Sequence, residues 1–203
     1  LSRGLGDVYK RQYVNSLVDR GFDVFLDLKF HDIPTTVAKA CKAAANLGVW
    51  MINVHASGGP KMLEAAKNAL DEFGHEKPKL ISVTMLTSMD PIQAASIGVV
   101  CSLEKQVLRL AKLTKDSGLD GVVCSAQEAR SLRASMGSEF CLVTPGIRPE
   151  GSTLDDQSRV MTPGKAIAAG SDYLVIGRPV TQSQKPVDTL TQINTSLNSD
   201  SFA

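Results

Sequence analysis

A chain of 203 residues that is 43% apolar, with 22 basic and 21 acidic residues and a formal net charge of +1, has the size and balance of one globular domain with an ordinary core. That balance calls for neither nucleic acid nor an acidic surface as a partner. No run reaches the roughly 18 to 20 apolar residues of a membrane span and no basic-then-apolar leader opens the chain, so a cytoplasmic protein is the expectation.

Residues 1–12 show neither strand alternation nor a helical stripe and read as an extraneous segment ahead of a domain at 13–198, with 199–203 as a polar tail. Val14, Leu17 and Val18 fall at helical spacing before Gly21. The apolar run from Asp23 to Lys29 has the character of a parallel strand covered on both faces, and Pro34 opens a helix to about Leu47. The alternation then continues with a strand at 50–55, a helix from Pro60 to about Phe73 and a strand at 80–86. Val107, Leu110, Ala111 and Leu113 mark a helix ending at Gly118. A strand at 121–124 leads into Ser125 and Glu128, the spacing of a capping box, and a helix to Met136. The strand at 140–144 opens into a long loop, 145–159, of the kind that tends to be functional or disordered in compact domains. A helix from Thr162-Pro163 to Gly170, a strand at 173–176 and a helix carrying Val187, Leu190 and Ile193 complete the order. Six strands alternating with helices argue a parallel α/β architecture, either an open sheet or six units of a (β/α)8 barrel.

The chemistry concentrates at the end of the first strand. Asp27 and Lys29, two residues apart, point to one side of a regular pleat, roughly 6 to 7 Å apart along the strand, and Asp32 lies in the turn beyond. In α/β sheets and barrels this is the end where ligands bind; the competing reading is a solvated strand mouth with Asp32 as helix N-cap. A metal set of Asp27, His31 and Asp32 is disfavoured by the cation Lys29 among the ligands. Gly146 with Arg148, and Gly177 with Arg178, each follow an apolar strand and together suit a phosphorylated ligand held by guanidinium and backbone N–H groups. Thr87, Ser88 and Gln157 add neutral groups able to read an amide-bearing ring. His55 reads as structural or peripheral and His75 as surface. The cysteines Cys41, Cys101, Cys124 and Cys141 lack C-x-x-C spacing and read as reduced, mostly buried thiols.

Four motifs in order, Asp27-Leu-Lys-Phe-His-Asp-Ile-Pro-x-Thr36, Val-Thr-Met-Leu-Thr87-Ser, Thr-Pro-Gly-Ile-Arg148-Pro and Val-Ile-Gly177-Arg178-Pro, resemble orotidine 5′-phosphate decarboxylase of the bacterial type, from about Tyr13 to Leu197. The resemblance implies a homodimeric (β/α)8 TIM barrel that converts orotidine 5′-phosphate to UMP and carbon dioxide without cofactor or metal. It implies Lys29 as proton donor to the ring carbon, Asp27 against the substrate carboxylate and Asp32 supplied to the neighbouring subunit's site. Thr36 belongs to the binding segment, Thr87 and Gln157 meet the base or a closing loop, and Arg148, Gly177 and Arg178 hold the phosphate. The family carries two further β/α units ahead of this first strand, with an Asp and a Lys that complete the charge network. Lys10 lies too near Asp27 to replace them. These 203 residues are therefore expected to be an N-terminally truncated enzyme of little or no activity, with a non-catalytic fragment as one alternative. The other is a Mg-dependent sugar-phosphate decarboxylase, which the Asp-x-Lys-x-x-Asp core alone would also suit.

Overall fold

The structure, a computed structural model, describes residues 5–149 and 160–199, with side chains from 11 to 149 and from 160 to 197. The chain folds as two compact units, one running to Val83 and including Leu113–Asp120, the other comprising Thr84–Lys112 and the residues from Gly121 on.

The first unit contains α1 (Leu5–Val18), β1 (Phe25–Phe30), α2 (Pro34–Ala45), β2 (Met51–His55), α3 (Pro60–Asp71) and β3 (Lys79–Val83). The helix expected from Tyr13 thus starts at Leu5, and most of the segment read as extraneous is helical. Prolines open α2 and α3 at the first helical position, where the missing N–H has no intrahelical partner to lose. β1 pairs with β2 and β2 with β3, all parallel. Between β2 and β3 the register is unbroken from Met51↔Lys79 to His55↔Val83. β1 and β2 step from Leu26↔Ile52 to Phe30↔Val54, so β1 carries a bulge.

Covering the strands, α2 and α3 contribute Val37, Cys41, Ala44, Met62, Leu63, Ala66 and Leu70 to one core with Ile52, Val54 and Leu80. Burying each large aliphatic side chain there contributes about 1.5 to 3 kcal/mol. Small residues on α2 and α3 let two helices lie side by side over three strands, and the helical spacing of 37, 41, 44 is what places them on one face.

The second unit contains α4 (Pro91–Ser96), β4 (Gly121–Val123), α6 (Ala129–Met136), β5 (Cys141–Thr144), α7 (Pro163–Ala168), β6 (Tyr173–Leu174), α8 (Arg178–Thr181) and α9 (Pro186–Ser199). Helix α5 (Leu103–Asp116) is divided between the units. β4 pairs with β5 and β5 with β6, again parallel. At Gly121 a Cβ would lie 2.1 Å from the Cys141 carbonyl oxygen, so only glycine permits the close approach of β4 to β5. A smaller core gathers Ala126, Ile147 and Ala166 with Met161, Leu174 and Ile176.

One local device recurs in both units. Helices α5 and α7 end in Gly118 and Gly170, with φ of 78° and 107°, each closing paired bonds: Gly118 N–H to Lys115 and Leu119 N–H to Thr114, Gly170 N–H to Ile167 and Ser171 N–H to Ala166. Two residues past each glycine stands an aspartate. Asp120 accepts the Leu80 N–H at 2.6 Å and Asp172 the Leu142 N–H at 2.7 Å, tying the start of the next strand to the previous one.

Two readings of the sequence are corrected. Helix α4 was not anticipated, although Asp90-Pro91-x-Gln93 carries its full capping box: Asp90 accepts the Gln93 N–H at 2.8 Å and Gln93 Oε1 accepts the Asp90 N–H. At Ser125 the box is only half made. Glu128 Oε2 accepts the Ser125 N–H at 2.9 Å, while Ser125 Oγ takes the Gln127 N–H and α6 begins at Ala129. Among the described residues no helix is long and apolar enough to cross a membrane. Cys41, Cys124 and Cys141 are buried free thiols and Cys101 is half-buried.

Candidate active site

In the first unit the end of β1 holds a charged pair. Lys29 Nζ lies 2.7 Å from both Asp27 Oδ1 and Oδ2. The side chains are 39% and 41% exposed, so the pair contributes only about 0 to 1 kcal/mol to stability; its geometry calls for another explanation. The meeting is not made by regular alternation. Lys29 has φ 50°, in the left-handed region, and the bulge turns its side chain back onto Asp27.

A residue that sequence reasoning passed over completes this corner. Asn53 of β2 is fully buried, accepts the Lys29 backbone N–H on Oδ1 at 2.7 Å and donates from Nδ2 to Asp27 Oδ1 at 2.6 Å. Its signal was available: a lone amide inside the apolar run Met51–His55 requires partners.

His55, read from sequence as structural or peripheral, stands beside the pair. Its ring centroid is 5.2 Å from that of His31. Burial depresses its pKa first; the charges of His31 and Lys29 depress it further, and Asp27 opposes them. The imidazole is thus biased toward its neutral form.

Asp32 is not brought to Lys29 within this chain. Its carboxylate accepts the Ile33 N–H at 2.6 Å. Nor is it the N-cap expected as the competing reading: that position is Ile33, and α2 has no side-chain cap. Thr36 is exposed on the first turn of α2. Among the described residues no group of three His, Cys, Asp or Glu side chains lies at metal-holding distance, so Asp27, His31 and Asp32 do not form such a set.

In the second unit, β5 and β6 are adjacent and each is followed by one of the expected arginines. Arg148 is buried, 8% exposed, and Nη1 donates to the Ile147 carbonyl at 3.0 Å. Its backbone N–H is not exposed, as a phosphate loop would have it, but bonds the Met161 carbonyl at 3.0 Å, while Met161 N–H reaches Gly146. These bonds draw together the two ends of the long loop seen in sequence. Arg178 is half-buried at the first position of α8, and the Gly177 carbonyl accepts from the Val180 and Thr181 N–H groups. A Cβ on Gly177 would meet nothing within 4 Å. Thr87 lies half-buried in the turn after β3, where Met89 N–H bonds Leu86. Gln157 lies outside the described residues.

Residues 4–193 match the family model described as orotidine 5′-phosphate decarboxylase / HUMPS family. The chain is 64% identical over 190 residues to an orotidine 5′-phosphate decarboxylase of Tolumonas auensis, covering 93% of this chain and 82% of that protein. To the protein of the same name from Pseudoalteromonas atlantica it is 61% identical over 186 residues, covering 92% and 80%. Among solved structures, orotidine 5′-phosphate decarboxylase from Lactobacillus acidophilus superposes with a TM-score of 0.81 at 40% identity, over 93% of this chain and 81% of that one. An uncharacterized conserved protein from Geobacillus kaustophilus gives 0.80 at 39% identity, over 93% and 83%.

Proposed function

The chain belongs to the orotidine 5′-phosphate decarboxylase / HUMPS family, and from that premise we propose that its charged corner serves the decarboxylation of orotidine 5′-phosphate to UMP in pyrimidine biosynthesis. The observation that carries the reading is the Lys29 ammonium held on both oxygens of Asp27 at a strand's C-terminal end.

In this reading the bond from the pyrimidine ring to its carboxylate carbon breaks, carbon dioxide departs, and the electron pair remains on the ring carbon. Lys29 delivers its proton to that carbon and is recharged from solvent. Such a carbanion has no conventional electron sink, so a cation already in place stabilises it as it forms, and Asp27 aims Lys29. Asp27 also faces the substrate carboxylate, a repulsion relieved as carbon dioxide leaves. Rate enhancements of the largest kind need about 20 kcal/mol of differential stabilisation, more than one ion pair supplies. The remainder is assigned to remote binding, with Arg148, Gly177 and Arg178 gripping phosphate and Thr36, Thr87 and Gln157 meeting the rest of the nucleotide. Asp32, whose carboxylate accepts the Ile33 N–H in its own chain, is assigned to the neighbouring site of a homodimer. The reaction as proposed uses no cofactor or metal and takes place in the cytoplasm.

The test is the ultraviolet change of orotidine 5′-phosphate incubated with this chain and with Lys29→Ala. Lys29-dependent turnover at any measurable rate is the expected result. Turnover indifferent to Lys29→Ala overturns the assignment to these residues, whereas little or no turnover here together with Lys29-dependent turnover in a longer chain carrying two further β/α units ahead of β1 upholds it.

A further inference from the structure

From Leu26↔Ile52 to Phe30↔Val54, four steps along β1 are matched by two along β2. Asn53 is the β2 residue that faces this excess. Its side chain has 0% exposure between Ile52 and Val54, which are equally buried. A carboxamide in such surroundings persists only if both of its ends are bonded. Both are, and to the two members of the charged pair: Oδ1 accepts from the Lys29 N–H, Nδ2 donates to Asp27 Oδ1. The partners dictate the orientation of the amide, since a backbone N–H only donates and a carboxylate only accepts.

Lys29 is the single non-glycine residue with positive φ among the described residues. An L side chain stays in that conformation when its surroundings hold it there. The Asn53 oxygen replaces the ladder partner that the bulge removes, while the Asn53 nitrogen occupies one lone pair of Asp27. Lys29 Nζ shares the same Asp27 oxygen, Oδ1, so one buried amide sets both the backbone that carries the ammonium and the carboxylate that aims it. No aliphatic residue of that size does either, and aspartate does only half.

We propose that Asn53 is a positioning residue for the decarboxylation, holding Lys29 and Asp27 in the geometry of proton delivery without touching the substrate; this rests on the reading of Lys29 as proton donor given above.

Two variants test it, with one readout independent of activity. By amide hydrogen exchange, Asn53→Ala is expected to speed exchange at the Lys29 N–H about tenfold, the consequence of losing one hydrogen bond. Asn53→Asp keeps the acceptor and leaves that amide protected. In kinetics, Asn53→Ala lowers kcat roughly 100-fold with KM within about threefold, the signature of a misplaced reacting group. In Asn53→Asp two carboxylates adjoin, and one takes up a proton more readily than usual; the protonated group restores a donor toward its neighbour. The ratio of its kcat to that of the unaltered chain is therefore expected to rise as pH falls from about 8 to about 5. Unchanged Lys29 exchange in Asn53→Ala, a loss confined to KM, or a ratio flat with pH each overturns the proposal. If the unaltered chain turns over too little substrate to compare, the kinetics are taken in a longer chain carrying two further β/α units; absence of Lys29-dependent turnover there makes the functional reading fail, and the exchange result alone then decides whether Asn53 positions Lys29. If Asn53→Ala does not fold, the pH ratio of Asn53→Asp carries the test.

Discussion

Arg133 offers the prediction that the geometry specifies most fully. On α6 its side chain is 23% exposed and reaches into two turns. Nη1 donates to the carbonyls of Gly137, Ser138 and Phe140 at 2.8 to 2.9 Å, all in the turn before β5. Nε and Nη2 both reach the Gly170 carbonyl and Nη2 also meets Asp172 Oδ2 at 2.6 Å, in the turn before β6. Its stem lies against Gly170, where a Cβ would come within 3.1 Å of Arg133 Cβ. A planar fork of five N–H groups thus staples two successive helix-to-strand turns, including the aspartate that anchors Leu142.

The five acceptors fall at three places, the turn before β5, the Gly170 carbonyl and the Asp172 carboxylate; the bonds at each are charge-assisted, but partial exposure lets water take over some of them. A discounted value of about 1 kcal/mol per site puts Arg133→Ala at about 3 kcal/mol. For a chain of this length that is roughly 6 to 12 °C in Tm. Arg133→Lys retains a point charge for Asp172 and loses the fork, which leaves about 2 kcal/mol of destabilisation. Urea unfolding followed by far-ultraviolet circular dichroism, with the thermal midpoint alongside, measures both. A loss below about 1 kcal/mol in Arg133→Ala, or a lysine variant as stable as arginine, refutes the staple.

Burial and the neighbouring cations hold the His55 pKa below its ordinary value, so between pH 7 and the folded pKa the unfolded chain binds the extra proton; stability falls as pH drops through about 6.5, and His55→Gln should flatten that slope in urea midpoints taken from about pH 7 to 5. Parallel slopes in the two proteins would remove His55 from the account. Burial pushes the Cys41 thiol up to about 12, while Cys101 is half-buried against Gln106. A thiol reagent at about pH 8 should therefore label Cys101 first and Cys41 only after unfolding; labelling of Cys41 at the Cys101 rate in the folded protein contradicts its burial.

Much of the fold is written locally. Pro34, Pro60 and Pro163 open helices and Gly118 and Gly170 close them because each acts through its own φ or missing N–H, so the order of strands and helices follows from residues close in the chain. The Asp90-Pro91-x-Gln93 box is equally local, its cap made between residues three apart. Asp27 and Lys29 were legible as a pair because charges two apart at the end of an apolar strand stand out.

What joins them was not legible by that route. Regular alternation expects side chains spaced along one face of a pleat, whereas the real contact is a 2.7 Å ion pair made by a bulge and a lysine with φ 50°. The bulge exists only because β1 and β2 pair out of step, and Asn53 acquires its role only because it is the residue opposite. Likewise Arg133 is an ordinary helical arginine until Gly170 and Asp172, more than thirty residues on, arrive beside it. Caps, turns and hydrophobic period act between residues near in the chain, so most elements and the clustering of charges within one segment follow from local residues. Tertiary structure alone decided that a buried amide two dozen residues away holds the pair, because strand register is a property of two segments together.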